Sequence, residues 1–251
     1  MNQSNDFHLE DFGRITLDEM KDIKLMNRTD TKYVTTRKML RQWLELAKEE
    51  YFAQEIEGER LMPYHTIYYD TPELSMYHAH HNQRKHRQKV RVREYECDHQ
   101  MFLEVKDKNN HGRTKKKRIS IPSLAISTTE QTAWVDALLM FDANTLAPKI
   151  ENHFNRITLV NHDKTERLTI DLDLRFDNVL SGESISLPDH AVIELKRDGN
   201  YASPALGLLQ QLRIKPCGFS KYALGMAMTD HTLKQNNFKQ RLRYLEKLIR
   251  N

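Results

Sequence analysis

Alternating charged and apolar residues mark six segments of the sequence. In Lys89–Arg93, three cations alternate with two valines, and five further segments show the same pattern: residues 28–32, 102–106, 116–121, 167–174 and 192–196. Successive side chains of a β-strand point to opposite faces, so each segment predicts a strand with one charged face and, in most cases, one aliphatic face. One such face could simply meet water. Six faces rich in Lys and Arg favour a shared binding surface, because like charges on adjacent strands repel unless an anion lies between them.

A chain of phosphates suits such a surface. Lys and Arg form charge-assisted hydrogen bonds with phosphate oxygens. Four carboxylates interrupt the cations and could hold Mg²⁺ or Mn²⁺, which prefer oxygen ligands: Glu104, Asp171, Asp173 and Glu194. Positioned cations together with a divalent metal are what phosphoryl transfer requires.

Positive charge is concentrated in the middle of the chain. The segment from Arg84 to Arg118 carries thirteen Lys and Arg against five Asp and Glu, whereas the whole chain has a formal net charge of +4. This imbalance indicates a polyanionic partner. The charged faces lack the interleaved aromatics that stack on bases, so no specific nucleic acid is expected.

Several common enzyme classes are excluded by their missing motifs. The sequence contains no GxGxxG, GxxxxGK[ST], HExxH, CxxC or GxSxG pattern. Four histidines lie close together, at His78, His80, His81 and His86, but no second ligand cluster has the spacing of a structural zinc site. We therefore interpret them as exposed side chains of a polar helix and loop.

The composition predicts a cytoplasmic protein. The 251 residues include only Cys97 and Cys217, which we interpret as reduced thiols, and no apolar run is long enough to cross a membrane. The N-terminus lacks the features of a secretory signal. The basic, amphipathic segment 239–250 could touch the inner face of a membrane, although packing against the body of the protein is the preferred interpretation.

The predicted elements give an α+β protein. Strands dominate the middle of the chain and helices surround them, which favours one antiparallel sheet or a barrel with a polar lumen. We divide the chain into three parts: an N-terminal lead-in with a short helix (1–27), a tunnel domain (28–230) and a C-terminal amphipathic helix (231–251).

Six short motifs resemble the vacuolar transporter chaperone (VTC) polyphosphate polymerase domain, a member of the triphosphate tunnel metalloenzymes. They occur in the order seen in that family: Thr31–Val34, Tyr68–Thr71, Lys89–Tyr95, Phe102–Lys106, Glu194–Lys196 and Gly218–Tyr222. The resemblance implies an eight-stranded antiparallel barrel that binds ATP and polyphosphate with Mn²⁺ or Mg²⁺. It departs from the wider superfamily at the first strand, where Thr29–Lys32 replaces an ExExK motif.

The resemblance also implies a set of site residues. Arg91, Arg93, Lys106 and Lys221 correspond to catalytic positions, and Glu194 corresponds to the metal ligand. The implied phosphate-binding residues are Lys32, Arg91, Arg93, Lys106, Lys116, Arg118, Arg156, Arg167, Lys196 and Lys221.

The expected activity is transfer of the ATP γ-phosphate to a growing polyphosphate chain. Two alternatives stay open: a tripolyphosphatase or nucleoside triphosphatase of the same fold, and a polyphosphate-binding module without activity. A membrane-protein partner is a further open expectation.

Overall fold

The computed structural model describes residues 6–21, 23, 28–111, 113–199 and 201–249. Within these residues the chain forms eleven β-strands: β1 (Gly13–Ile15), β2 (Arg28–Thr36), β3 (Tyr51–Gln54), β4 (Met62–Asp70), β5 (Arg87–Tyr95), β6 (Gln100–Lys108), β7 (Thr114–Ser120), β8 (Ala147–Asn161), β9 (Glu166–Asn178), β10 (Ser184–Leu187) and β11 (His190–Asp198). All six alternating segments fall on strands, which confirms the strand predictions.

The same residues form seven α-helices, which lie between and after the strands: α1 (Leu17–Lys21), α2 (Arg37–Ala47), α3 (Ser75–His81), α4 (Thr129–Asp136), α5 (Pro204–Gln211), α6 (Lys221–Thr229) and α7 (Lys239–Leu248). Side-chain caps fix where several of them begin. Thr36 caps α2, Thr128 caps α4 and Ser220 caps α6, each accepting a hydrogen bond from a backbone N–H of the first turn.

Eight strands form one continuous ladder in the order β2–β11–β9–β8–β4–β5–β6–β7, with antiparallel neighbours throughout. Among the described residues, the end strands β2 and β7 do not pair with each other. The prediction of an α+β antiparallel architecture is confirmed, but the prediction of a closed barrel is only approximately met. The physical reason lies in β7, whose exposed Lys residues blunt the edge of the sheet against further pairing.

The open sheet curls so that the two halves of the ladder face each other. Charges on Glu194 in β11 and Lys32 in β2 act on Lys106 in β6, although these strands are far apart in the ladder. Residues 216–222 cross between the halves. The Cys217 N–H donates to the Lys32 carbonyl at 2.8 Å, and Lys89 donates to the Ser220 hydroxyl at 2.9 Å. The charged faces are therefore turned inward.

Apolar faces of the strands pack against the outer helices. Leu168, Ile170 and Leu172 of β9 are fully buried in one cluster with Leu40 and Trp43 of α2. Burial of this apolar surface is the main stabilising contribution to the fold. The inward charged face and the outward aliphatic face are thus two consequences of one alternating pattern.

A bulge in β9 interrupts the alternation at Asp173. The register with β8 shifts between His153 and Asn155, and Asp173 adopts a left-handed backbone with φ of 52°. Asp173 receives a hydrogen bond from Arg37 at 2.6 Å instead of joining the inner cations. Beyond the bulge, Leu174 belongs to a different apolar cluster from Leu172. The prediction that Asp173 shares a face with Asp171 is therefore wrong.

Helix α6 covers the part of the sheet beyond this bulge. A Cβ atom added at Gly225 would lie 2.6 Å from Cδ1 of Phe176 and 2.8 Å from Cδ1 of Ile150. Glycine thus allows α6 to approach β8 and β9 closely. The C-terminal helix α7 also packs on the domain, because the Tyr244 hydroxyl donates to the Val34 carbonyl at 3.1 Å and Leu245 is buried.

Two further sequence predictions concern the four neighbouring histidines and the absence of a membrane-spanning helix. His81 is fully buried, the Nδ1 atom of His80 is also buried, and His78 and His86 are half-buried, so the interpretation of the histidine group as exposed is wrong. The helices in the described part of the chain are all too short or too polar to cross a membrane.

Candidate polyanion-binding site

Long cations from eight elements line the concave side of the sheet, which we call the inner face. These are Lys32, Lys89, Arg91, Arg93, Lys106, Lys116, Arg118, Arg156, Arg167, Lys196 and Lys221. Four carboxylates are interspersed among them: Asp30, Glu104, Asp171 and Glu194. Cations outnumber carboxylates eleven to four, so the inner face attracts anions strongly.

Glu104 on β6 joins two of these cations. Nε of Arg91 donates to Oε2 at 2.6 Å, and Nζ of Lys116 donates to Oε1 at 2.7 Å. Burial disfavours the charged carboxylate, but Arg91, Arg93 and Lys116 outweigh it and hold the pKa of Glu104 far below its usual range. The Glu104 side chain is only 1% exposed, so it organises the cations without being open to a ligand.

Asp171 on β9 forms a second centre of the same kind. Arg156 donates to both of its oxygens, at 2.6 and 2.9 Å, and Nζ of Lys221 donates to Oδ2. This fork geometry is the strong form of an Arg–carboxylate pair. Burial lowers the pKa of Lys221 to about 7, although the Asp171 carboxylate opposes the shift. Lys221 is therefore close to its titration point at neutral pH.

Glu194 on β11 differs from the other two carboxylates in its partners and its exposure. Nζ of Lys32 lies 2.8 Å from Oε1 and Nζ of Lys196 lies 3.5 Å from Oε2, so both partners are lysines. Its side chain is 19% exposed, against 5% for Asp171. Burial opposes ionisation, yet Lys32 and Lys196 lower the pKa of Glu194 well below its usual range. Burial in turn lowers the pKa of Lys196 to about 8.

Lys89 and Arg93 lie on the inner face without forming an ion pair with a described residue. Among the described residues, no carboxylate lies within 4.0 Å of either side chain. Lys89 donates to Ser220, and Nε of Arg93 donates to the Thr66 hydroxyl at 3.1 Å. Burial, and then the charge of nearby Lys106, lower the pKa of Lys89 well below its usual value. The neighbouring cations therefore make these two positions electrostatically unfavourable for a positive charge.

Two stacked aromatic rings contact cations of the inner face. The rings of Tyr64 and Phe154 lie 5.1 Å apart at 7° to each other. Cζ of Arg156 lies 5.0 Å from the Tyr64 ring, and Nζ of Lys221 lies 4.2 Å from the Phe154 ring. Such cation–π contacts hold long side chains in place at little cost in flexibility. The Arg156 and Lys221 side chains are thus held against this pair of rings.

The predicted site residues do not all lie equally deep. Arg118 lies on the edge strand β7, is exposed, and stacks on Phe102 with Cζ 4.4 Å from the ring centroid. Lys106 and Lys116 are also exposed, whereas Arg93 is 5% exposed. Arg118, Lys106 and Lys116 therefore form an outer margin of the inner face.

The register places Lys116, but not the adjacent Lys117, on the inner face. It also adds Lys89 to the predicted site residues. Lys116 pairs in register with Lys106 and bonds Glu104, so it lies on the inner face, whereas Lys117 lies opposite Val105 on the other side. Lys89 was absent from the set implied by family resemblance. Its alternation with Arg91 was the signal that could have placed it there.

The domain is thus an antiparallel sheet that curls around a cationic inner face. A family model described as "VTC domain" matches residues 27–230. The match covers most of the chain, which therefore belongs to the VTC domain family.

Solved structures with related folds have low sequence identity to this chain. A Bacillus halodurans protein proposed to be an adenylate cyclase is 13% identical, with 78% of this chain and 96% of that chain covered at a TM-score of 0.49. A Hippeastrum protein described as having a dominant triphosphatase activity is 12% identical, with 80% and 97% covered and a TM-score of 0.49. A Pyrococcus horikoshii protein is 12% identical, with 80% and 99% covered and a TM-score of 0.44. No curated protein matched the chain. The assignment therefore depends on the family match.

Proposed function

We propose that this chain is a polyphosphate polymerase, which transfers the γ-phosphate of ATP to the end of a polyphosphate chain. Membership of the VTC domain family supports this function. The observation that carries the proposal is the pair Lys89 and Arg93, two cations on the inner face with no carboxylate within 4.0 Å among the described residues. A chain of phosphates supplies the anionic oxygens that these positions lack.

The proposed reaction needs no protein nucleophile. A terminal phosphate oxygen of the acceptor attacks the γ-phosphorus of ATP, a new P–O bond forms, and the bond to the β–γ bridging oxygen breaks to release ADP. Both reactants are highly anionic, so their mutual repulsion is the main obstacle to alignment. Arg91, Arg93, Lys106 and Lys221 are the proposed catalytic cations, because all four lie on the inner face.

Glu194 is the carboxylate that best fits a divalent metal. It is ionised, it is more exposed than Asp171 or Glu104, and its lysine partners can turn toward phosphate oxygens. Mg²⁺ and Mn²⁺ are commonly held by one or two carboxylates together with substrate phosphates. A metal bound there would offset charge on the phosphoryl group. Asp171 and Glu104 fit less well, because each already accepts charge-assisted bonds from an arginine and a lysine.

Products distinguish the proposal from its two alternatives. The chain is incubated with ATP and Mn²⁺, and long polyphosphate is resolved from free phosphate on a gel. The proposal predicts polyphosphate, and Arg93→Ala should reduce its formation while Lys117→Ala should not. Lys117 is a matched control, since it is an exposed cation on the opposite side of the sheet. Free phosphate alone would indicate a triphosphatase, and binding without turnover would indicate a polyphosphate-binding module.

A further inference from the structure

A second cluster of ligand-type side chains lies on the outer side of the sheet. His65 on β4 and His153 on β8 are direct partners in the antiparallel register. Their rings are stacked, with centroids 4.1 Å apart and planes at 15°. Glu151, two residues before His153 on the same face, places Oε2 at 2.9 Å from Nε2 of His65. We call these three residues the outer cluster.

The outer cluster is separate from the inner face. Thr66 contacts Arg93 on the inner face, so its neighbour His65 points to the opposite side of the sheet. Phe154 contacts inner cations in the same way, which places His153 on the other side of β8. A metal ion at the outer cluster would therefore not contact a polyphosphate chain on the inner face.

The geometry of the cluster suits one metal ion. Each of the three residues offers one ligand atom, and these atoms all lie within 4.8 Å of one another. Their side chains are 13%, 36% and 43% exposed in the order His65, Glu151 and His153, so water can reach the site. The bulge in β9 lies directly beside His153, and such bulges often direct side chains near functional sites.

Charges around the cluster favour a cation. Glu96 approaches His153 with 4.0 Å between Oε1 and Nδ1. Arg175 faces His153 across the strand pair, but it is neutralised by Asp177 at 2.8 Å.

We propose that His65, Glu151 and His153 bind one transition-metal ion of the Zn²⁺ type, with water completing its coordination. Two imidazoles and one carboxylate are a ligand set preferred by Zn²⁺ and its first-row neighbours over Mg²⁺. The bound ion would join β4 to β8, the central strand pair that carries Tyr64 and Phe154 on the inner side. It would therefore stabilise the platform on which the inner cations are arranged.

The test is a calorimetric titration of the tag-free full chain with Zn²⁺ in excess Mg²⁺, which occupies sites made of oxygen ligands. The proposal predicts one Zn²⁺ per chain. His153→Ala should abolish this binding, and Glu151→Gln should weaken it at least ~10-fold, since even loss of a group that only orients a ligand costs about 10–100-fold. His86→Ala is the matched control, because His86 pairs with Asp107 at 2.8 Å but is not part of the cluster.

A spectroscopic measurement on the same proteins keeps the result clear if one variant folds poorly. Co²⁺ bound to the wild-type chain should give visible absorption bands typical of nitrogen ligation, and in Glu151→Gln, which preserves side-chain shape, these bands should be weaker at the same Co²⁺ concentration. Unchanged Zn²⁺ affinity in both variants, or no Zn²⁺ binding by the wild type, would overturn the proposal.

Discussion

Replacing Lys89 with methionine should raise the stability of the empty protein and weaken its binding of polyphosphate. Lys89 lies among Lys106, Lys32 and Arg91, and burial lowers its pKa well below the usual value. Methionine keeps most of the side-chain volume and removes the charge. The Ser220 hydroxyl retains a partner, because it also accepts a hydrogen bond from the Ala223 N–H at 3.2 Å.

The two effects have opposite signs and comparable size. Removing this charge, and with it the repulsion from neighbouring cations, should raise the free energy of unfolding by about 0.5–2 kcal/mol. Loss of one charge-assisted bond to phosphate should cost about 1.5–3 kcal/mol of binding free energy, which is about a 10- to 150-fold weaker affinity. The gain in stability should fade above pH ~10.5, where the lysine is neutral in both the folded and the unfolded chain.

Urea unfolding and calorimetry with tripolyphosphate, both without divalent metal, measure these quantities on one preparation. Lys117→Met is the control, because it removes the same charge from an exposed position on the other side of β7 and should change neither quantity substantially. A Lys89→Met protein that is less stable and binds tripolyphosphate with unchanged affinity would refute the reasoning, since Lys89 would then be a structural residue.

Three further predictions follow from the same geometry. Polyphosphate binding near pH 8 should take up protons, because the pKa values of Lys196 (about 8) and Lys221 (about 7) are low in the empty protein and rise beside phosphate. Affinity should therefore fall as pH rises through this range, and a calorimetric enthalpy that is independent of buffer would contradict this. Glu194→Gln should retain tripolyphosphate binding but lose roughly 100- to 1000-fold in metal-dependent turnover, and retained turnover would remove Glu194 from the metal site. Gly225→Ala should destabilise the protein by about 1–3 kcal/mol in urea unfolding, because the added methyl would lie 2.6 Å from Phe176; an unchanged midpoint would show that α6 can shift.

Local alternation was sufficient to predict the strands and the charged face of each one. Arg91 and Arg93 lie on the inner face because a strand alternates sides strictly between bulges, and that property can be read from five residues. Lys221 was included among the site residues only through the resemblance to a family, and its contact with Asp171 across 50 residues has no local signal in the sequence.

Other features depended on geometry that a single sequence does not show. Asp173 does not lie on the inner face, because β9 contains one residue more than β8 at the bulge. Nothing in the alternating pattern marks this bulge. The outer cluster joins His65 to His153 through the pairing of β4 with β8, strands that are far apart in the chain. The open edge at β7 is likewise a property of the whole ladder rather than of any one strand.

The central claim is that the inner face joins phosphates to one another. A ³¹P NMR time course of the wild-type chain with ATP and Mg²⁺ tests it most directly, because internal phosphates of a polyphosphate chain, ADP and free phosphate have separate signals. If the inner face joins phosphates, the signals of internal phosphate and ADP should rise together while free phosphate stays low. A rise of ADP matched by free phosphate alone, with no internal phosphate at any time, would contradict it.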